Sequence, residues 1–190
     1  MAYPNVIFAD HSAQGHRLNT AAKKHPLGQK MVYSDGRKWA YGLCGATTLV
    51  VGDLIQGKAL VAADYTDVVI DVAASVGDTS LSLTTTSTTA ANYYNGGWLH
   101  INKGTGLQDG YMYKIKASGS HAVFAASAGH VVQLDVDDPV RVALAVNDEA
   151  GLVPDEYNGM IQAILTTLTS RVVGVAQTPV TNAYYGFVQT

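Results

Sequence analysis

The sequence predicts an all-β fold in which many short antiparallel strands form a single β-barrel or β-sandwich-like domain. Short runs of β-branched and aromatic residues alternate with polar ones, and Gly, Asn, Asp and Ser separate the runs. Two of these separations carry the pattern of a β-hairpin. Only one segment in the first half of the chain, Leu18 to Lys24, invites a short helix.

The stretch from Tyr93 to Lys116 is the clearest hairpin. In its first run, Leu99 and Ile101 fall on one face and Trp98 on the other. In its second run, Tyr111, Tyr113 and Ile115 share a face, whereas Met112, Lys114 and Lys116 point away. The intervening loop contains Gly104, Gly106 and Gly110, which adopt turn conformations easily. We expect a rigid, weakly charged surface here.

A second hairpin is predicted where Asp35-Gly36 separates Met31 to Tyr33 from Trp39 to Tyr41. The remaining predicted strands follow from the same reasoning. They are Thr47 to Val51, Leu54-Ile55, Ala59 to Ala63, Val68 to Val72, Thr79 to Leu83, Val131 to Val136, Val140 to Val146, Arg171 to Ala176 and Tyr184 to Gln189. Met160 to Leu168 is compatible with a strand or a helix, and the threonines near its end favour a strand. Close spacing of such strands is typical of barrels and sandwiches. No repeat of fixed period is evident.

Residues 1–28 have little apolar periodicity and include His11, His16 and Arg17. They form either a solvated chain end or an extended N-terminal arm that orders along a partner. No sharp change of composition follows, so we assign residues 29–190 to one β-rich domain.

Composition limits the classes of partner. The net charge is −3, so the chain as a whole does not attract nucleic acid. Charged residues are 14% of the chain, against roughly 25% in an average soluble domain. This shortage favours a surface that is buried against neighbouring subunits. The sequence contains neither a signal peptide pattern nor an apolar run long enough for a membrane helix, so synthesis in a cytoplasm is expected.

The motif search indicates no enzyme. Cys44 is the one cysteine, which rules out an intrachain disulfide or a C-x-x-C site. The glycines of the central hairpin lack the spacing and the following helix of a phosphate loop. Asp135, Asp137 and Asp138 do not continue into a calcium-binding loop, and no histidines stand at metal-ligand spacing. We therefore expect no catalytic residues, no cofactor and no metal.

Aromatic residues are the more informative set. Tyrosine and tryptophan are enriched in protein interfaces, although a core or a cross-strand ladder would account for at least half of those present here. The candidate interface residues are Trp39, Tyr41, Trp98, Tyr111, Tyr113, Tyr184, Tyr185 and Phe187.

Four passages occur in an order that resembles a group of tailed-bacteriophage virion proteins. They are KHPLGQKMVYSDGRKWAYG, YYNGGWLHINKGTGLQDGYMYKIK, LDVDDPVRVAL and RVVGVAQTPVTNAYYGFVQT. The chain resembles the capsid decoration proteins, also called cement or head-stabilising proteins, of marine and environmental phages. The resemblance covers most of residues 24–190.

The resemblance implies a non-enzymatic protein on the exterior of the virion. Such a protein binds the major capsid protein, bridges neighbouring capsomers and often forms a homotrimer. In this reading the arm and the first hairpin contact the capsid, and aromatic strands hold subunits together. Two alternatives stay open: a structural protein of the neck or tail, and a β-sandwich carbohydrate-binding module that uses Trp98 and Tyr111.

Overall fold

The computed structural model describes residues 6–66, 68–104, 106, 108–164 and 166–190. It is nearly all β, with 39% strand and 6% helix, which confirms the predicted fold class. The strands in chain order are β1 (Val6–Ala9), β2 (Asn19–Thr20), β3 (Lys30–Tyr33), β4 (Lys38–Cys44), β5 (Leu54–Gln56), β6 (Val68–Ile70), β7 (Ser80–Thr85), β8 (Trp98–Lys103), β9 (Met112–Lys114), β10 (Ala128–Gln133), β11 (Glu149–Val153), β12 (Asn158–Gln162), β13 (Val172–Val175) and β14 (Tyr185–Gln189). One α-helix, α1 (Ala62–Thr66), and two short 3-10 helices, His11–Ala13 and Gly15–Arg17, are also present.

The chain forms two compact units. Unit 1 contains the residues through Ala59 together with Glu156–Thr190, and unit 2 is Leu60–Asp155. The sequence analysis assigned residues 29–190 to one domain because no change of composition marks either junction. Residues 1–5 of the predicted arm lie outside the described residues. The rest of that segment contributes β1, which pairs with β3, and β2, which pairs with β14.

Unit 1 is organised around a small barrel-like sheet. Its strands pair in the ring β4-β12-β5-β13-β14, and β14 returns to β4 through five residue pairs. The period of two divides the side chains of β4 between two cores. Ala40 and Cys44 pack with one buried cluster, which includes Leu49 and Val180. The alternate residues pack with a second, aromatic cluster, whose members are Met31, Tyr33, Trp39, Tyr41 and Phe187.

Unit 2 is a six-stranded sheet with the order β10-β7-β6-β11-β8-β9. An isolated bridge between Ile115 and Leu134, just beyond the ends of β9 and β10, connects the first and last strands of this order. This bridge closes the sheet on itself at one end of these strands. Its interior holds large buried side chains from several strands, including Leu81, Leu83, Leu99, Tyr113 and Leu152.

Both predicted hairpins are confirmed. β3 and β4 pair antiparallel across the Asp35-Gly36 turn, and β8 pairs with β9 in the register Leu99↔Tyr113. The predicted faces are also confirmed, because Leu99 and Tyr113 are buried and Met112 is exposed.

Several predicted elements were wrong. Ala59 to Ala63 is not a strand, because its second half begins α1. Thr47 to Val51 and Val140 to Val146 each contribute one isolated bridge residue, Leu49 and Leu144, instead of a strand. Leu18 to Lys24 is not helical and contains β2. In the two valine-rich segments the backbone bends into tight turns, and a run of β-branched residues by itself does not distinguish such a turn from a strand.

The two valine-rich segments belong to an arrangement that we name a crossed-turn pair. Segments 70–78 and 140–148 run antiparallel, and their central residues, Ala74 and Leu144, exchange backbone hydrogen bonds of 3.0 and 2.9 Å. The flanking bonds are symmetric. Gly77 donates to the Val140 carbonyl at 2.8 Å, and Asn147 donates to the Ile70 carbonyl at 3.0 Å.

The same arrangement recurs twice. In unit 1, Leu49 and Val180 exchange bonds of 2.9 and 3.1 Å; in unit 2, Thr89 and Phe124 exchange bonds of 3.1 and 2.9 Å. In every segment the third residue after the centre has a positive φ. These residues are Gly52, Gly77, Asn92, Ser127, Asn147 and Ala183. They include four of the five non-glycine residues with positive φ in the described chain, so the crossing itself imposes this conformation.

Candidate interaction surface

Three of the crossed turns present a valine to solvent at their tips. In unit 1 this residue is Val51, and in unit 2 it is Val76, which is 65% exposed, and Val146. Each valine immediately precedes the positive-φ residue of its turn. Exposed valines on such short turns are apolar contact points that cost little conformational entropy on binding, because the backbone beneath them is already ordered.

An aspartate closes each of these three turns. Its carboxylate accepts a hydrogen bond of 2.8 Å from the backbone N–H at the turn's first residue: Asp53 from Val50, Asp78 from Ser75, and Asp148 from Ala145. The aspartate N–H returns a bond to the carbonyl of that same residue. The paired bonds fix the turn at both ends.

A second exposed apolar area lies on the outer face of the β8–β9 hairpin. Trp98 is 39% exposed and Met112 is 54% exposed. The Lys114 ammonium lies 4.2 Å from the centre of the Trp98 ring and donates a hydrogen bond to the Gly96 carbonyl. Burial lowers the pKa of Lys114, and the carboxylates of Asp155 and Asp135 oppose that effect. The lysine thus holds the indole in place as a cation–π partner.

The predicted interface residues fall into three classes. Trp39, Tyr41, Tyr113 and Phe187 are buried in the cores of their units, as the core reading of the aromatic residues allowed. Tyr111 and Tyr185 are half-buried, and Trp98 and Tyr184 are exposed. The exposed pair therefore has side-chain area available for contact with a partner. The four buried residues fill the cores of their units instead.

The two aromatic residues named for a carbohydrate platform point in different directions. Tyr111 packs against the core of unit 2 and stacks on Tyr113 with ring centres 6.3 Å apart. Trp98 lies on the opposite, outer face, beneath Lys114. A sugar ring stacked on Trp98 would therefore not reach Tyr111.

A buried carboxylate anchors α1 in unit 2. Asp64 is fully buried and accepts hydrogen bonds from the hydroxyls of Ser87 at 2.5 Å, Thr89 at 2.9 Å and Tyr94 at 2.6 Å. Burial, together with the bond to Asp64, raises the pKa of Tyr94. Since Thr89 is a central residue of a crossed-turn pair, this network connects the helix to the turn scaffold.

Gly151 on β11 allows that strand to lie close to α1. A Cβ at Gly151 on β11 would clash with the Tyr65 carbonyl oxygen and with the His100 ring. The rings of Tyr65 and His100 lie 5.4 Å apart, and burial lowers the pKa of His100. These groups are structural parts of unit 2.

Ligand groups for metals do not converge in the part of the chain that is described. There, no group of three or more His, Cys, Asp and Glu side chains is placed to hold a metal ion. Cys44 is buried, its thiol donates to the Thr47 carbonyl at 3.1 Å, and burial raises its pKa. Among the described residues, no helix has the length and apolar character needed to cross a membrane.

The sequence analysis missed the crossed turns, although a signal for three of them is present. The tripeptide Val-Gly/Asn-Asp occurs at 51–53, 76–78 and 146–148. The intervals between the copies differ, so a search for a fixed period does not detect them. The other three segments, 85–93, 120–128 and 176–184, carry no such motif, and only the backbone pairing identifies them as crossed turns.

No protein-family model matches this chain, and a search of curated proteins finds no match either.

Proposed function

We propose that this chain is a non-enzymatic structural protein of a phage virion. It binds the outer surface of the capsid and stabilises the head by bridging capsomers of the major capsid protein. It is made in the host cytoplasm and acts on the capsid exterior as a homo-oligomer, with a trimer as the expected form.

The observation that carries the proposal is the set of apolar side chains held outward on ordered turns. Val51, Val76 and Val146 are exposed on crossed turns whose backbone is fixed by reciprocal hydrogen bonds. A protein that stabilises a shell needs contact area that is ordered before binding, since ordering loops at the interface would subtract from the affinity. Many copies then multiply a modest interface into a large total.

The identity of the partner rests on the resemblance to phage decoration proteins. The four ordered passages on which it rests include the two hairpins, the segment that enters the 140–148 crossed turn, and the closing β13–β14 region. The residues that resemble the family are therefore those that build the scaffold. The low proportion of charged residues fits an exterior that is partly covered by neighbours.

Co-sedimentation tests the proposal. The full chain is mixed at micromolar concentration with undecorated capsids assembled from the major capsid protein of the same phage. We expect saturable binding, with hundreds of copies per particle. Absence of binding at physiological salt would contradict the proposal. A stoichiometry of a dozen or fewer copies per particle would indicate a neck or tail component instead.

Two variants locate the binding surface. Val76→Ser combined with Val146→Ser removes apolar area from both turn tips of one crossed-turn pair and should weaken binding about tenfold. Trp98→Ala tests the hairpin face in the same assay. Val131→Ser is the matched control, because Val131 is an exposed valine on a regular strand, β10, and not on a turn. If the control and the turn variant lose capsid affinity equally, the crossed turns do not form the binding surface.

A further inference from the structure

The two units have opposite net charges. With histidines neutral, unit 1 contains eight Lys and Arg residues against four Asp and Glu residues, which gives a net charge of +4. Unit 2 contains four basic residues against eleven acidic ones, which gives a net charge of −7. The net charge of −3 for the whole chain conceals this difference. Surfaces of opposite sign attract different partners, so each unit has to be considered by itself.

Several cations of unit 1 lie together over its aromatic cluster. Burial lowers the pKa of His16, and the charges of Arg37 and Arg17 lower it further, so both guanidinium groups lie near this ring. The ring itself stacks on the aromatic cluster. Lys24 lies over the same cluster, because its backbone N–H donates to the Tyr41 hydroxyl at 2.9 Å. We name the exposed residues Arg17, Lys23, Lys24 and Arg37 the basic face.

The chain itself neutralises little of this basic face. Asp35 is the one acidic residue between positions 17 and 38, and its carboxylate pairs with Arg37 at 2.7 Å. The ion pairs found among the described residues leave Arg17, Lys23 and Lys24 without a carboxylate partner. The basic face therefore fits an acidic partner surface.

Unit 2 has a surface of the complementary charge at the turn formed by residues 135–138. This turn contains three aspartates, and it presents Val136, which is 74% exposed, beside the exposed Asp137. The Asp138 carboxylate pairs with Arg141 at 3.0 Å, whereas Asp137 forms no ion pair with any residue of the described ranges. The turn thus offers an apolar side chain and an available carboxylate together.

We propose that the basic face of one copy binds the acidic surface of unit 2 in a second copy, through residues 135–138. This contact is head-to-tail, and head-to-tail contacts close into rings when the rotation allows it. A ring of three copies is the trimer expected above. A nucleic acid is also attracted to basic residues, but the net charge of unit 2 repels it, whereas a second copy supplies the matching acidic surface. The contact goes beyond the proposed function, and its test needs no capsid.

Sedimentation velocity of the free chain over a concentration series, up to about 1 mM, measures this contact. The chain should self-associate in about 20 mM salt. The association should weaken about fivefold or more in about 500 mM salt, because the Debye length falls from about 20 Å to about 4 Å. A chain that stays monomeric at low salt, or an association that salt does not weaken, would overturn the proposal. If that monomer binds a DNA duplex at low salt, the basic face belongs to nucleic acid instead.

Charge reversals at exposed residues separate this contact from the effect of net charge. Lys24→Glu should weaken self-association about fivefold. Lys103→Glu is the matched control, because it gives the chain the same net charge but lies on β8 in unit 2, and it should not weaken the association. Asp137→Lys should weaken the association, although it brings the whole chain closer to neutrality. Equal losses in Lys24→Glu and Lys103→Glu, or an Asp137→Lys variant that associates as well as the wild type, would contradict the proposal.

Discussion

Ala74 and Leu144 lie far apart in the sequence, yet each donates its backbone N–H to the carbonyl of the other, at 3.0 and 2.9 Å. Around this reciprocal pair, the two segments of the crossing are related by an approximate two-fold axis. The arrangement occurs three times in the molecule, once in unit 1 and twice in unit 2. It closes the turns on which the proposed contact surface depends.

Gly77→Ala should lower the free energy of unfolding by about 1 kcal/mol. Gly77 has a φ of +98°, and a Cβ there would meet no atom within 4 Å, so the cost comes from backbone conformation alone. Gly77→Asn is the matched control, because asparagine tolerates this region and occupies the equivalent position at Asn147. Urea unfolding should give a lower free energy of unfolding for the alanine variant than for the asparagine variant. The reverse order would contradict the conformational argument.

Asp148→Ala should lower the free energy of unfolding by about 1–3 kcal/mol. Asp148 is buried, and its carboxylate accepts the Ala145 N–H at 2.8 Å; removal leaves that N–H without its acceptor. Asp137→Ala, at an exposed aspartate of a neighbouring turn, should change stability by less than about 0.5 kcal/mol. Thermal unfolding measures the stability of both variants. Equal losses of stability in the two would rule out a special role for the Asp148 carboxylate.

Tyr94→Phe should lower the free energy of unfolding by about 1–3 kcal/mol, because it removes one of the hydrogen-bond donors of a buried side chain. The Tyr94 hydroxyl donates to the Asp64 carboxylate at 2.6 Å. Tyr65→Phe removes a hydroxyl from a partly exposed ring in α1 and should have little effect. Chemical denaturation provides the measurement. A Tyr94→Phe variant as stable as Tyr65→Phe would show that the Asp64 network does not anchor the helix.

Stability should fall as the pH drops below the ordinary histidine value of 6.5, and His16 should contribute to the loss. Burial lowers the pKa of His16, and the positive charges of Arg37 and Arg17 add to the effect. The ring stacks on Trp39 at 4.5 Å, and Nδ1 lies 2.8 Å from the Tyr33 hydroxyl. Below pH 6.5 the unfolded chain takes up a proton that the folded chain resists, so stability decreases until the folded pKa is passed.

The His16→Gln variant tests this linkage. The difference in unfolding free energy between wild type and variant should shrink from pH 8 to pH 5.5, because only the wild type has the titrating ring. Urea unfolding at several pH values measures the difference. A difference that stays constant across this range would contradict the linkage to His16.

The sequence was sufficient where structure depends on neighbouring residues. Alternation in 98–101 and 111–115 placed Leu99 and Tyr113 on the buried face, and Asp35-Gly36 located a hairpin, because both depend on residues a few positions apart. It failed at Val140 to Val146. There the residue types suit a strand, but the backbone pairs with a segment of distant sequence and bends into a turn.

The all-β class, the two hairpins and the assignment of their faces were thus determined by the amino-acid sequence itself, because period-two patterning and turn residues act locally. Tertiary structure alone decided the two-unit division, the crossed turns, and the burial of Trp39 and Tyr41. Each of these depends on which distant backbone groups find hydrogen-bond partners and which side chains are then covered, and residue types at nearby positions do not specify that choice.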